Sequence, residues 1–250
     1  MKQLNTKVLV SDLVAQRPSR SRLFEQLGIE YCCGGKRPLD EVCNEKGLDA
    51  RTLLDTLFAA ESGGSGGEDE RNWTHASIQE LIQNITDVHH AYLRQELPRL
   101  SALADHVAES HGEREPRLLL LRECLTELRE ELEPHLDREE AELFRAILNL
   151  MSAPVAAKAE NPASAAKARS LLHAALESLE GEHRQTAEKL QRIRALSDRF
   201  EAPDWACNSF RAFYDGLHEL ETNIHEHVHK ENNILFPAVK EAITEELAHS

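Results

Sequence analysis

The chain has 250 residues, 41% of them hydrophobic and 29% charged, so it can build a core and is not a disordered or fibrous sequence. With 44 acidic residues against 29 basic and a net charge of -15, it lacks the positive field that general binding to nucleic acid or an anionic membrane needs. No apolar run approaches the ~20 residues that span a bilayer, and the first residues show neither the apolar core nor the cleavage site of a signal peptide. The five cysteines, at 32, 33, 43, 124 and 207, are odd in number and two are adjacent. That is a poor disulfide framework and points to reduced thiols and the cytoplasm.

Residues 1–60 read as a small helical N-terminal domain of three short helices. Pro18 and Ser19 open the first, which Gly28 closes. Tyr31-Cys32-Cys33-Gly34-Gly35-Lys36 follows as a turn whose two glycines suggest unusual backbone angles. Pro38 opens the second helix, closed by Gly47, and Asp49 caps the third. Three short helices are compatible with DNA binding. Nine Lys/Arg against eight Asp/Glu leave too little charge for a phosphate-binding face. Residues 61–70, rich in Gly, Ser and acidic side chains, form a flexible linker.

Residues 71–250 carry four long helical patterns and almost no strand signal. The first opens on Ser77-x-x-Glu80, a capping box, with the stripe Ile78, Leu81, Ile82, Ile85, Val88, Tyr92. A neighbouring row is Ile82, Thr86, His90, Leu93, Leu97, and Pro98 should kink or shorten this helix. The second begins near Pro116 and runs Leu121, Leu125, Leu128, Leu132, His135, Glu139, Leu143, Ala146, Leu150. A connection over 152–163 leads to the third: Leu172, Leu176, Leu179, His183, Ala187, Leu190, Ile193. The fourth opens at Pro203-Asp204 and runs Phe213, Leu217, Leu220, Ile224, His227, Glu231, Leu235, where Pro237 should kink or end it. The fold class is all-α, an antiparallel four-helix bundle preceded by the small N-terminal domain.

Two stretches repeat. His135-x-x-x-Glu139 and His227-x-x-x-Glu231 are each followed, after three intervening residues, by Leu-Phe. The His and Glu continue apolar stripes, so they face the core, where an uncompensated carboxylate or imidazole costs several kcal/mol, roughly. A metal centre supplies the compensation, because imidazole and carboxylate suit iron, manganese or zinc. The i, i+4 spacing puts both side chains on one face, so the histidine can bind one metal while the glutamate bridges two. One histidine from each remaining helix completes the set His90, His135, Glu139, His183, His227 and Glu231. Periodicity does not separate His90 from His89. His225 and His229 fall off the stripe and read as surface or packing residues. A ligand set this rich in histidine favours small diatomic ligands or exchange of iron over carboxylate-type oxidative chemistry. Cys43, Cys124 and Cys207 read as small buried residues.

Taken together, these residues resemble the di-iron iron–sulfur cluster repair family, a hemerythrin-like bundle joined to a short N-terminal domain. The markers are Tyr31-Cys32-Cys33-Gly34-Gly35-Lys36, His90 followed by Leu93-Arg94-x-x-Leu97-Pro98, and His135-x-x-x-Glu139. Glu182-His183 and His227-x-x-x-Glu231-Asn232-Asn233-Ile234-Leu235-Phe236-Pro237 complete them. The resemblance selects His90 and implies two non-haem iron ions bridged by carboxylate and an oxo group. It also implies repair of iron–sulfur proteins whose clusters nitric oxide or oxidative stress has damaged, by iron donation in the bacterial cytoplasm. Cys32 and Cys33 then serve redox chemistry or iron transfer. The alternatives are a sensor or carrier of nitric oxide or O2, and an enzyme that reduces nitric oxide. Neither nucleic acid nor membrane is an expected partner, and a homodimer is left open. One departure is Arg145, where the family has proline after Leu-Phe, which puts the local helix end in question.

Overall fold

The computed structural model describes residues 5–61, 71–152 and 162–248, and every regular element among them is helical. The linker expected at 61–70, beyond its first residue, and most of the connection expected at 152–163 lie outside the described residues. The chain falls into two compact units, one drawn from Met1–Leu81 with His225–Ala238, the other from Ile82–Ile224 with Val239–Ser250. The grouping thus takes a piece of the fourth bundle helix into the N-terminal unit rather than following the order of the sequence.

In the first unit, α1 (Val10–Gln16), α2 (Ser21–Gln26), α3 (Leu39–Glu45) and α4 (Ala50–Glu61) make four helices where three were expected. The extra one, α1, has Leu9 at its N-cap and no side-chain cap, and Asp12 in its first turn is its one start signal. Pro18–Arg20 is a 3-10 turn leading into α2. Gly28 and Gly47 close α2 and α3 at φ 62° and 67°, a region that costs glycine little. Asp49 Oδ1 accepts from the Thr52 amide at 2.7 Å and caps α4.

The segments entering α1 and α3 run antiparallel, with Ser11 N donating to Gly35 O at 2.9 Å and Leu39 N to Val8 O at 2.9 Å. Val10, Phe24, Tyr31, Leu39 and Leu54 are buried beneath them. The glycines of the Cys-Cys-Gly-Gly turn answer to space rather than to unusual backbone angles: neither has a positive φ. A Cβ on Gly35 would lie 2.2 Å from Tyr31 O and 3.0 Å from Ser11 Cβ, and one on Gly34 would lie 2.8 Å from Glu30 Cγ.

Helix α5 (Ile78–Asn84) opens on the expected capping box: Glu80 N donates to Ser77 Oγ at 3.2 Å, and Ser77 N to Glu80 Oε2 at 2.9 Å. The bundle helices are α6 (Ala91–His111), α7 (Arg117–Arg138), α9 (Pro162–Leu196) and α10 (Asn208–Lys230), with α8 (Phe144–Ser152) and α11 (Phe236–Ala248) extending two of them. Leu93, Leu97, Leu121, Leu125, Leu128, Leu176, Leu190, Phe213 and Leu217 form the buried stripes of the second unit. Gly216 lets α10 lie close to α6, since a Cβ there would lie 2.5 Å from Leu100 Cδ2.

Among the described residues, three π segments interrupt the α-helices, at Ile85–His90, Glu139–Leu143 and Glu231–Leu235. A π turn bonds i to i+5 and inserts one residue, so each stripe steps by five instead of three or four. Ile85 is therefore followed inward by His90, and Val88, expected on the stripe, is 48% exposed. Past the second π segment, Leu143 is buried as expected, but Phe144 and Ile147 are buried while Ala146 is exposed, so the expected row shifts by one residue after Leu143.

The prolines break less than expected. Pro98 and Pro134 lie inside continuous helices, and Pro237 is the second residue of α11, a place that needs no amide donor. The π segment at Glu139 forms without a proline after Phe144, so Arg145 leaves the helix intact. The fourth helix starts at Asn208 rather than at Pro203-Asp204, because Arg211 Nη2 donates to Pro203 O at 3.2 Å and Asp204 O at 3.0 Å and holds that stretch as a turn. Cys207, expected to be buried, lies on this turn and is exposed, while Cys43 and Cys124 are buried.

Replacing Gly35 with alanine drives a methyl group into the Tyr31 carbonyl. We expect Gly35→Ala to destabilise the protein by about 1–3 kcal/mol in urea denaturation, and an unchanged midpoint would contradict this account of the turn.

Candidate metal centre

Within the bundle unit, four of the expected ligand residues come together. His90 ends the first π segment, His135 lies in the last turn of α7, Glu139 opens the second π segment, and His183 comes from α9. All four are buried, Glu139 at 0% exposure. His90 Nε2 lies 3.4 Å from Glu139 Oε2, while His135 Nε2 lies 3.2 Å and His183 Nε2 3.9 Å from Glu139 Oε1. One carboxylate oxygen thus faces one imidazole and the other faces two. The His135 and His183 Nε2 atoms are 3.3 Å apart.

The far side of each ring is held by a carboxylate. His90 Nδ1 meets Glu140 Oε1 at 2.8 Å, and His135 Nδ1 meets Glu182 Oε2 at 2.9 Å. A carboxylate only accepts, so Nδ1 donates and Nε2 is the atom each ring turns inward. Arg94 holds Glu140 at 3.1 Å and Asp137 at 2.8 Å, and Arg138 holds Glu182 at 2.6 Å. Burial works against the charge on Glu140, but hydrogen bonds from His90 and Arg94 outweigh it and hold its pKa below the usual range. Phe144, the aromatic residue of the repeat, stacks on the His90 ring at 5.7 Å. His89 is equally buried but turns elsewhere, its Nδ1 lying 3.3 Å from Asn223 Oδ1.

This donor set fits divalent or trivalent iron. Imidazole nitrogens converging on a fully buried carboxylate make an N/O donor set, and N/O ligation suits iron. The split of the carboxylate between His90 on one side and His135 with His183 on the other matches what a carboxylate bridging two ions requires. A cavity of about 440 Å³ reaches Glu139, lined mainly by apolar groups that include Leu143, Ala146, Leu172 and Leu179.

In the other unit, His227 and Glu231 reproduce the second-helix pair. His227 Nε2 lies 3.2 Å from Glu231 Oε1, both are buried, and Glu231 opens a π segment as Glu139 does. The next two residues face the Cys-Cys-Gly-Gly turn. Asn233 Nδ2 donates to Cys32 O at 2.9 Å, and Asn232 Nδ2 lies 3.8 Å from Cys33 Sγ. His229, read as a surface or packing residue, is buried with Nδ1 3.2 Å from Tyr31 O, and burial pulls its pKa down to about 4. The Cys32 thiol is pushed up, first by its hydrogen bond with Cys33 and then by burial and the Glu30 charge. Both thiols are free, and they do not form a disulfide.

Sequence reasoning missed Glu140 and gave Glu182 no role beyond its place beside His183. Their signal was present: each carboxylate is adjacent in sequence to a ligand residue and supports a histidine of another helix. If Glu182 orients His135, Glu182→Gln lowers iron affinity ~10–100-fold in chelator competition with helicity unchanged; equal affinity would remove it from the centre.

Comparison with known proteins bears on this geometry. Residues 81–239 match the hemerythrin HHE cation binding domain family, and residues 6–61 match the ScdA_N family, described as a domain of unknown function. The iron–sulfur cluster repair protein ScdA of Staphylococcus haemolyticus is 28% identical over 235 residues, covering 93% of this chain and 98% of the relative. The iron–sulfur cluster repair protein YtfE of Yersinia pseudotuberculosis is 32% identical over 220 residues, covering 88% of this chain and 90% of the relative. YtfE of Yersinia pestis matches at the same identity and coverage.

Proposed function

This chain belongs to the iron–sulfur cluster repair proteins built on a hemerythrin HHE cation-binding domain, and we propose that it repairs damaged clusters by donating iron. In this reading His90, His135, Glu139, His183, His227 and Glu231 would hold two iron ions. Bound iron would supply Lewis acidity and one-electron chemistry. The residues of the chain fix the imidazoles and turn their Nε2 atoms inward.

The observation that supports it best is the division of the Glu139 carboxylate between His90 and the His135–His183 pair. Imidazoles, which ligate a metal in their neutral form, outnumber carboxylates in the set, which keeps total ligand charge low and suits release of the cargo. Proteins whose iron–sulfur clusters nitric oxide or oxidants have damaged are the partners. The five free thiols support a reducing cytoplasm as the setting, and no described helix is long and apolar enough to cross a membrane.

The test mixes iron-loaded protein with a cluster enzyme inactivated by nitric oxide. We expect the enzyme to regain activity as iron leaves the loaded protein, and absence of both overturns donation. His135→Leu and Glu231→Leu should each carry less than about half the iron of the parent protein; two irons per chain in either variant contradicts the ligand set. The apolar cavity at Glu139 favours a second reading, a site that binds nitric oxide or O2 and keeps its iron. A stable adduct on gas titration, with no loss of iron to a damaged cluster, selects that reading.

A further inference from the structure

The Cys-Cys-Gly-Gly turn gathers a second group of ligand-type side chains. Glu30, Cys32 and His225 each bring a donor atom within 4.8 Å of the other two. The turn supplies a carboxylate and a thiol, and α10 supplies an imidazole. All three belong to the same compact unit. The group is held rather than accidental. Glu30 Oε1 accepts from the Cys32 amide at 2.9 Å and the Cys33 amide at 3.2 Å, which fixes the carboxylate over its own turn. Cys32 Sγ sits 2.7 Å from the same oxygen. The Tyr31 ring meets His225 edge-on at 6.1 Å, and the Tyr31 hydroxyl donates to Glu25 Oε1 at 2.7 Å, which anchors that ring. Gly34 leaves the room that Glu30 fills.

We propose that Glu30, Cys32 and His225 form a mononuclear site for a divalent first-row cation such as Fe²⁺, Zn²⁺ or Co²⁺, separate from the histidine–carboxylate centre. Sulfur, nitrogen and oxygen donors in one group suit these ions. Three protein ligands leave a coordination position for water or for an incoming ligand, the arrangement of exchange and catalytic sites rather than of closed structural ones. Cys32 is buried, but Glu30 and His225 are partly exposed, so a cation can reach them from solvent. Binding replaces the thiol proton that now faces Glu30. The metal–sulfur bond forms, the S–H bond breaks heterolytically, one proton goes to solvent, and nothing is oxidised or reduced. The site stands whether or not cluster repair proceeds by iron donation, because it is read by binding alone.

The experiment titrates the metal-free full-length chain with Co²⁺ and follows thiolate-to-cobalt charge-transfer absorption in the near ultraviolet. The histidine–carboxylate centre contains no sulfur and is silent in this band. We expect the band to appear as Co²⁺ is added and to level off at the intensity of one thiolate–cobalt bond per chain, to vanish in Cys32→Ser and to persist in Cys33→Ser. His225→Ala and Glu30→Gln should each weaken the apparent affinity by more than about tenfold. Absence of the band in the parent chain overturns the site. So does a band that survives Cys32→Ser, or one indifferent to both His225→Ala and Glu30→Gln. If circular dichroism shows Cys32→Ser to be unfolded, the two affinity variants decide the question, since their side chains are partly exposed and lie outside the core.

Discussion

A carboxylate with no exposed surface, Glu139, sets the terms for the bundle around it. Placing that charge in an apolar interior costs several kcal/mol, roughly, unless something opposes it. The imidazoles of His90, His135 and His183 converge on Glu139, and the carboxylates beyond His90 and His135 hold those two rings by Nδ1. A cation held by this N/O donor set offsets the cost of the buried charge. Arg94 and Arg138 complete the pattern on the outside, where each neutralises the carboxylate that orients a histidine.

The π segments make this geometry reachable from a helix. Two of them begin at a glutamate and end at a leucine, and the α-helix resumes at a phenylalanine in both cases. The third ends at His90. A wide turn exchanges good i→i+4 bonds for longer ones and is rarely kept without a use. Here the inserted residue turns the following apolar stripe by about one position, so that polar ligands and apolar core can both face inward along one helix. Phe144 gains its stacked place on His90 by this rotation.

Much of this was legible as residue type and spacing. His135 and Glu139, four apart, read correctly as lying on one face, because the π turn begins only at the glutamate. Downstream the same arithmetic failed: Ala146 was expected inward and Ile147 lies there. The repeated Leu-Phe was the visible trace of the π turn, since the leucine closes it and the phenylalanine takes the inward position one residue later. Helix α1 was invisible for a different reason. It is short and uncapped, and tertiary packing of Val10, Leu13 and Val14 stabilises it in place of local signals. The paired glycines at 34 and 35 were legible as a turn but not in their reason, because a steric clash with Tyr31 O exists only after the chain has folded.

Residues 225–238 carry two faces at once. Successive helical residues are ~100° apart, so His225 and His227 point in nearly opposite directions from one backbone. The His227–Glu231 face belongs to the repeated ligand pattern. His225, His229, Asn232 and Asn233 face the Tyr31–Cys33 turn, with Asn233 bonded to the Cys32 carbonyl and His229 to that of Tyr31. Glu231 opens the π segment in which Asn232 and Asn233 are the next residues. A helical stretch that ended at His227 would carry one of these faces alone. By continuing through the π turn it carries the His227–Glu231 pair on one face and, next to it in sequence, the side chains bonded to the Tyr31–Cys33 turn.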